Sequence, residues 1–341
     1  MNVLYLFGNG FDVNLGLKTS YNDFYNYLLF NKEAILSRID ANVRELMTDI
    51  FNDIVKYLSE KDNIINWADF ELAMAEFYDT KEISHESYVE LVDILSYELS
   101  EYLETEDQKF KKCISQNEIN VDKFYKQLIS PYLECPNTVK PDFINMFSNP
   151  LNISFITFNY TFTLDYLLGN KRDIVIESKK HIFNKPVHIH GTLDDNIYIG
   201  IDNVNQLKNP KLIPVVQEYP ELYFKPQMNV NSQRGADNSA YRLIESAEVI
   251  ILFGLSLGDT DLTWWRKIGN WYTGSNKRKI IVFNYDDNIK TCRSFPKKAY
   301  IERLLYEKIL FQLGIKSNGP AEKNRIILIN NTNSFLKNVN N

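Results

Sequence analysis

Four short clusters in this sequence are of residue types that bind or transform a small molecule. They are Gly8-Asn9-Gly10-Phe11-Asp12, Asn159-Tyr160-Thr161, His190-Gly191 and the run from Gly254 through Ser256, Gly258 and Asp259 to Asp261. In the first, two glycines one residue apart let the backbone turn sharply and approach a ligand. A helix starting behind them would offer free N–H groups and a partial positive charge, which suits a nucleotide phosphate. An amide (Asn159) and an imidazole (His190) follow two further apolar runs. Each residue also has a plainer use. Asn159 can cap the helix that follows it, and His190 can be a satisfied core histidine. One of Asp259 and Asp261 is expected to be only a helix cap. Ser256 has no basic partner nearby in sequence, so a hydrolase-type serine nucleophile is not indicated. The dehydrogenase fingerprint is incomplete. It wants a third glycine where Val13 stands, and an acidic residue closing a strand about 20 residues on.

The elements that must position these clusters follow from the apolar pattern. Residues 2–7 read as a buried strand ending at the first cluster. Apolar strand-length runs recur at 152–158, 173–177, 186–191, 249–253, 279–283 and 325–329. Helical spacing follows several of them: from Thr19 or Ser20 as N-cap, from Thr161 or Thr163 as N-cap, and over 239–246, the Trp-rich stretch after Asp261, and 301–313. Alternating strands and helices predict an open, mostly parallel sheet with helices on both faces. In such a sheet the four clusters share one edge, where these folds bind ligands.

Between about residues 33 and 147 the pattern is helical instead. Ile35, Ile39 and Val43, then Leu46, Ile50, Ile54 and Leu58, repeat at three- and four-residue intervals, and glycine is absent from Gly16 to Gly169. This predicts a helical insertion over 33–147 in an α/β domain formed by 1–32 and 148–341. Inside it, Asp69 and Glu71 stand two apart in Trp67-Ala68-Asp69-Phe70-Glu71 and would not share a helical face. Asp69 suits either a cap or a ligand contact. Residues 101–112 are strongly charged and read as a solvated face or loop. The stretch 200–238, with Pro210, Pro214, Pro220 and Pro226, reads as irregular and as a mobile or ligand-ordered segment.

Composition narrows the function classes. The net charge of −6 argues against a broad nucleic-acid surface. Lys179-Lys180, Lys277-Arg278-Lys279 and Lys297-Lys298 are short enough to be ordinary solvated surface. Three scattered cysteines without a Cys-x-x-Cys pair give neither a structural zinc site nor a disulfide framework, and no other metal spacing stands out. No apolar run reaches the roughly 18 residues of a membrane span, and the start lacks a signal-peptide pattern, so the cytoplasm is the expected compartment. Trp264, Trp265 and Trp271 suit an interface or a core, with core packing the commoner use.

Taken together the motifs resemble the AbiH abortive-infection family of bacteria. The resemblance rests on Leu6-Phe7-Gly8-Asn9-Gly10-Phe11-Asp12 with Gly16-Leu17 and Thr19-Ser20-Tyr21, then Trp67-x-Asp69-x-Glu71, Thr157-Phe158-Asn159-Tyr160, His188-Ile189-His190-Gly191 and Gly254-x-Ser256-x-x-Asp259. It spans nearly the whole chain. That family is similar in turn to the sirtuin-like, Rossmann-type NAD-binding fold. The resemblance implies antiphage defence, with NAD as substrate and hydrolysis to nicotinamide and ADP-ribose. It implies Gly8 and Gly10, with Asn9, Phe11 and Asp12, at the cofactor pyrophosphate. Asn159 would lie near the nicotinamide ribose and His190 would act as base. Gly254 and Ser256 would line the ribose–phosphate side, with Asp12 or Asp259 orienting a ribose hydroxyl. Deacylase sirtuins carry two Cys-x-x-Cys pairs in a zinc module. This chain has none, so protein deacylation is not expected. The expected partner is a dinucleotide, with a phage-derived trigger and a second copy of the chain as further candidates. Two other readings remain: a nucleotide-binding sensor without turnover, and a nucleic-acid-acting toxin such as a nuclease.

Overall fold

Val3 to Phe7 are all buried, as a strand covered on both faces requires. Val3, Tyr5 and Phe7 enter one core, while Leu4 and Leu6 enter another. This is β1 (Asn2–Phe7), the middle strand of the molecule. The structure, a computed structural model, describes every residue except 61–65, 82, 233–234, 317–323, 333–334 and 337–341.

The chain runs through α1 (Gly10–Asn14), α2 (Tyr21–Arg38), α3 (Arg44–Ser59), α4 (Trp67–Lys81), α5 (His85–Ser115), α6 (Val121–Ile129) and α7 (Lys140–Phe147) before returning as β2 (Asn152–Thr157). Then come α8 (Thr163–Leu168), β3 (Asp173–Ile176), β4 (Lys179–His188), α9 (Ile213–Glu218), α10 (Lys225–Asn231) and α11 (Ala236–Ser246). The last part is β5 (Val249–Phe253), α12 (Leu262–Thr273), β6 (Lys279–Asn284), α13 (Asp287–Thr291), α14 (Phe295–Leu313) and β7 (Ile326–Asn330). The fold is mixed α/β with one seven-stranded sheet in the order β3-β4-β2-β1-β5-β6-β7. All neighbours are parallel except β3 and β4.

This order explains where a ligand can go. The chain leaves β1 toward β2 on one side and later toward β5 on the other, so the connections reverse direction beside β1. Phe7 is level with Thr157 of β2 and with Phe253 of β5, and Thr157 is level with His188 of β4. Four strands therefore end at one edge. The crevice beyond such ends, at the reversal, is the usual ligand site in open α/β sheets.

Helices cover both faces. Phe124, Leu128, Phe143 and Leu164 pack with Tyr5, Phe7 and Phe155 on one. Trp264, Trp265, Ile268, Ile244 and Leu310 pack with Leu4, Leu6 and Leu252 on the other. The tryptophans expected in a core or interface are thus in the core. A third cluster joins α2 to α5, including Phe24, Phe51, Phe70, Phe77 and Leu95. Of the seam read from the sequence, Ile35, Ile39, Ile50, Ile54 and Leu58 are buried in it. Val43 and Leu46 are exposed. Residues 33–147 are mainly helical, but they serve two cores: Phe110, Phe124 and Phe143 belong with the sheet. The join placed between residues 32 and 33 falls within α2.

Four local expectations change. First, the strand expected at 186–191 begins at Lys179, because β4 forms an antiparallel hairpin with β3. Its two-residue turn puts Glu177 and Ser178 at positive φ, 50° and 64°, without the Asn-Gly or Asp-Gly pair that usually marks such a turn. Second, the irregular stretch 200–238 holds α9, α10 and two 3-10 turns at Val204–Gln206 and Pro220–Leu222. Pro214, Pro220 and Pro226 lie in first turns, where the missing N–H has no helical acceptor anyway. Third, residues 101–112 form part of α5, with Glu106 and Asp107 buried. Asp107 accepts from the Phe162 N–H and the Tyr166 hydroxyl, each at 2.7 Å. Fourth, neither Thr161 nor Thr163 caps α8; both hydroxyls point into a buried network described below. Ser20 does cap α2, in a reciprocal capping box with Asp23.

Candidate functional site

A cavity of about 180 Å³ lies at the level strand ends and draws its walls from segments far apart in sequence. Gly8, Asn9, Gly10 and Asp12 come from the β1 turn and α1, Asn159 from the β2 end, His190 from the β4 end, and Gly254, Ser256 and Asp261 from the segment after β5. Glu71 of α4 and Lys225 of α10 also line it.

The turns after β1 and β5 press together. The Gly8 N–H donates to the Phe253 carbonyl at 3.0 Å and the Gly10 N–H to the Gly254 carbonyl at 2.9 Å. A Cβ on Gly10 would stand 2.6 Å from the Gly254 Cα. Glycine at these positions is therefore required for close packing of two backbones. The two amides expected at a pyrophosphate are committed to the neighbouring turn. α1 is a five-residue helix.

Asn159 is set by backbone. Its N–H donates to the Thr157 hydroxyl at 3.1 Å, and its carbonyl lies 3.1 Å from Nδ1 of His188. The other ring nitrogen of His188 is 2.9 Å from Asp165. His188 thus ties the Asn159 turn to α8. The Asn159 side-chain oxygen is buried without a hydrogen-bond partner among the described residues. Asp12 is 1% exposed. Its Oδ2 accepts from the Thr161 hydroxyl at 2.5 Å, and the Thr163 hydroxyl donates to that of Thr161 at 2.9 Å. Its Oδ1 has no hydrogen-bond partner among the described residues. Thr19 and Tyr21 add buried, unpartnered hydroxyls to the same walls.

The other half of the cavity is ionic. Both carboxylate oxygens of Glu71 accept from Lys225, at 3.0 and 2.8 Å. Lys225 Nζ is 2.9 Å from Oδ1 of Asp261, which is also 2.9 Å from Nε2 of His190. These last two contacts have ion-pair distances without hydrogen-bond alignment. The ring of His190 stands edge-on to Phe158, centroids 5.2 Å apart, and Phe158 stacks on Trp265. The link to α4 is steric: a Cβ on Gly258 would lie 2.3 Å from the Ala68 Cβ, so the start of α4 rests on the turn carrying Asp261. Asp69 caps α4 reciprocally with Asn66, while Glu71 turns inward.

Burial and neighbours set the charges. Burial raises Glu71 and the Lys225 ammonium only partly offsets it, so its carboxyl sits above the usual range. Burial also pushes Asp261 up, but Lys225 and His190 outweigh it and hold it well below. Lys225 loses to burial and gains more from Asp261 and Glu71, ending above its ordinary value. Burial raises Asp12 to about 6, opposed chiefly by the hydrogen bond from Thr161.

The shift at Asp12 makes a pH prediction. Its folded-state value lies above the ordinary 3.8, so folding favours the protonated form. Its stability contribution is complete below about pH 4 and is lost as pH rises through about 6. A rise from 3.8 to about 6 corresponds to about 3 kcal/mol. Asp12→Asn is expected to gain up to about that much over wild type at pH 8 relative to pH 4, read from urea unfolding at both pH values. Parallel pH dependence in the two proteins would reject the assignment.

The expected site residues thus divide. Gly8, Asn9, Gly10, Asp12, Asn159, His190, Gly254 and Ser256 line one cavity. Phe11 packs in the core against Phe7 and Phe253. Asp259 is bonded to the Gln312 amide at 2.7 Å and is not among the lining residues, whereas Asp261 is. Neither aspartate makes a cap hydrogen bond. Lys225 was not anticipated from the sequence. The available signal was one lysine between Tyr219-x-x-Leu222-Tyr223-Phe224 and Pro226, an apolar setting that a solvated lysine rarely occupies. Among the described residues no group of three or more His, Cys, Asp or Glu could hold a metal, and no helix is long and apolar enough to cross a membrane.

A mostly parallel sheet with a cavity at its carboxyl edge, beside the reversal of strand order, is an α/β arrangement in which such folds usually place a ligand site. The profile of the family described as Bacteriophage abortive infection AbiH matches residues 4–297. The chain belongs to that family, and its role is in abortive-infection defence against phage. No curated protein matches the chain.

Proposed function

We propose that this AbiH protein binds NAD on a sirtuin-like, Rossmann-type frame and hydrolyses it to nicotinamide and ADP-ribose. The observation that carries the reading is the convergence of Asn159 and His190 on one cavity at the strand-order reversal, with the Asn159 side-chain oxygen unpartnered. Breaking the nicotinamide–ribose bond builds positive charge on the sugar. Glu71, Asp12 and Asp261 supply fixed negative charge around it. Asn159 accepts a hydrogen bond from the ribose or the carboxamide. His190, oriented by Asp261, takes the proton of the attacking water as its oxygen bonds to the ribose carbon. The bonding pair leaves with nicotinamide. Loss of NAD halts the metabolism a phage depends on, which fits the family's defence role.

The test is incubation of the purified protein with NAD, alone and with phage lysate, followed by chromatography for nicotinamide and ADP-ribose. Wild type is expected to form both. His190→Ala is expected to lose about 100- to 10,000-fold in rate, as for removal of a general base. Equal turnover by wild type and His190→Ala rejects the mechanism. Ligand-dependent melting without product would favour the non-catalytic sensor.

A further inference from the structure

The charge lining the cavity bears on which part of a ligand enters it. Three carboxylates, Asp12, Glu71 and Asp261, face it, against the single ammonium of Lys225 and the imidazole of His190. No arginine is among the lining residues. Lys225 is already bound to Glu71 and Asp261. With the three carboxylates ionised, the lining is net negative whether or not His190 carries a proton. The Gly8 and Gly10 amides are turned to the β5 end. A pyrophosphate placed here would bring further negative charge to a site with no uncommitted cation among its described lining residues.

The unpartnered atoms point the same way. The Asp12 and Asn159 side-chain oxygens are both acceptors, on residues 1% and 7% exposed. Buried acceptors left open are costly unless a ligand donates to them. Ribose hydroxyls and a carboxamide N–H are such donors, and a phosphate diester is not. Size agrees: about 180 Å³ is below the roughly 300 Å³ where sites for drug-sized ligands begin. A cavity of this size suits one end of a dinucleotide rather than the whole.

We infer that the cavity recognises a cationic N-ribosylpyridinium nucleoside and does not require phosphate. This rests on the N-glycoside reading above and narrows its substrate class. Nicotinamide riboside is the smallest member. The reduced riboside has the same hydroxyls and carboxamide without the ring charge, and ADP-ribose has the phosphates without the ring.

The experiment uses the full chain near pH 8, with calorimetry for binding and chromatography for turnover. Nicotinamide riboside is expected to bind within ten-fold of NAD. The reduced riboside is expected to bind at least 100-fold more weakly than the oxidised form. Asp12→Asn is expected to weaken binding of the oxidised riboside about ten-fold. ADP-ribose binding as tightly as NAD, with nicotinamide riboside unbound, overturns the inference. Equal binding of oxidised and reduced riboside overturns it as well. Riboside binding without cleavage of any ligand upholds the ligand class and rejects hydrolysis, so the two readings fail separately.

Discussion

Lys225→Met is expected to cost about 3–5 kcal/mol of folding stability, the range for stripping one partner from a buried ion pair. The reason is the stoichiometry of the network. Lys225 is 3% exposed and is the ammonium that lies against both Glu71 and Asp261. Removing it strands two carboxylates in a poorly hydrated place. Glu71→Gln is expected to cost less, because Lys225 and Asp261 remain as a balanced pair. The order of the two losses, measured by urea unfolding at pH 8, is the signature. The Lys225→Met deficit should also shrink as pH falls. Without the ammonium the carboxyl values of Glu71 and Asp261 rise, so protonation relieves them at higher pH than in wild type. A loss below about 1 kcal/mol for Lys225→Met, the scale of an exposed pair, would show that the network is not buried in solution.

Gly254→Ala is expected to be strongly destabilising. Gly254 has φ +68°, and its Cβ would sit 2.5 Å from the Phe11 nitrogen and 2.6 Å from the Gly10 carbonyl carbon. Backbone atoms cannot rotate away. Left-handed strain of about 1–2 kcal/mol adds to an overpacking cost of about 1–3 kcal/mol. Gly16→Ala separates the two effects: Gly16 has φ +93°, but its Cβ would meet nothing within 4 Å. It should show the strain alone. Denaturant midpoints of the two variants give the comparison. On the proposed NAD hydrolysis, Gly254→Ala should also lower turnover, since the shift reaches Gly10 and Asp12. Equal losses for Gly16→Ala and Gly254→Ala would mean that the two turns are not in contact.

Much of the frame was legible because it depends on local pattern. Continuous apolar runs such as Val249–Phe253 identify strands buried on both faces, and their ends mark where polar clusters must gather. The N-cap expected at Thr19 or Ser20 falls at Ser20. The β3–β4 hairpin was harder to see, since Glu177-Ser178 adopts positive φ without the residues that favour it. The stretch 200–238 was misread because proline at a first helical turn and proline in a loop look alike in sequence. The charged run 101–112 is a solvated helical face for most of its length, as expected, but only tertiary partners, the Phe162 N–H and Tyr166 hydroxyl, decide that Asp107 is buried.

The amino-acid order alone determined the alternation of strands and helices, the edge at which Gly8, Asn159, His190 and Gly254 gather, and the family to which these motifs belong. Those features follow from periodicity and from short motifs, which are local. The folded chain decided which ionisable groups meet. Glu71 and Lys225 are 154 residues apart, and nothing local signals that one ammonium will be held between α4 and the turn at Asp261. It also decided that the Gly8 and Gly10 amides bond to the β5 end, because β1 and β5 become neighbours only when the sheet assembles. Pairing between distant segments is fixed by packing, and packing is a property of the whole core.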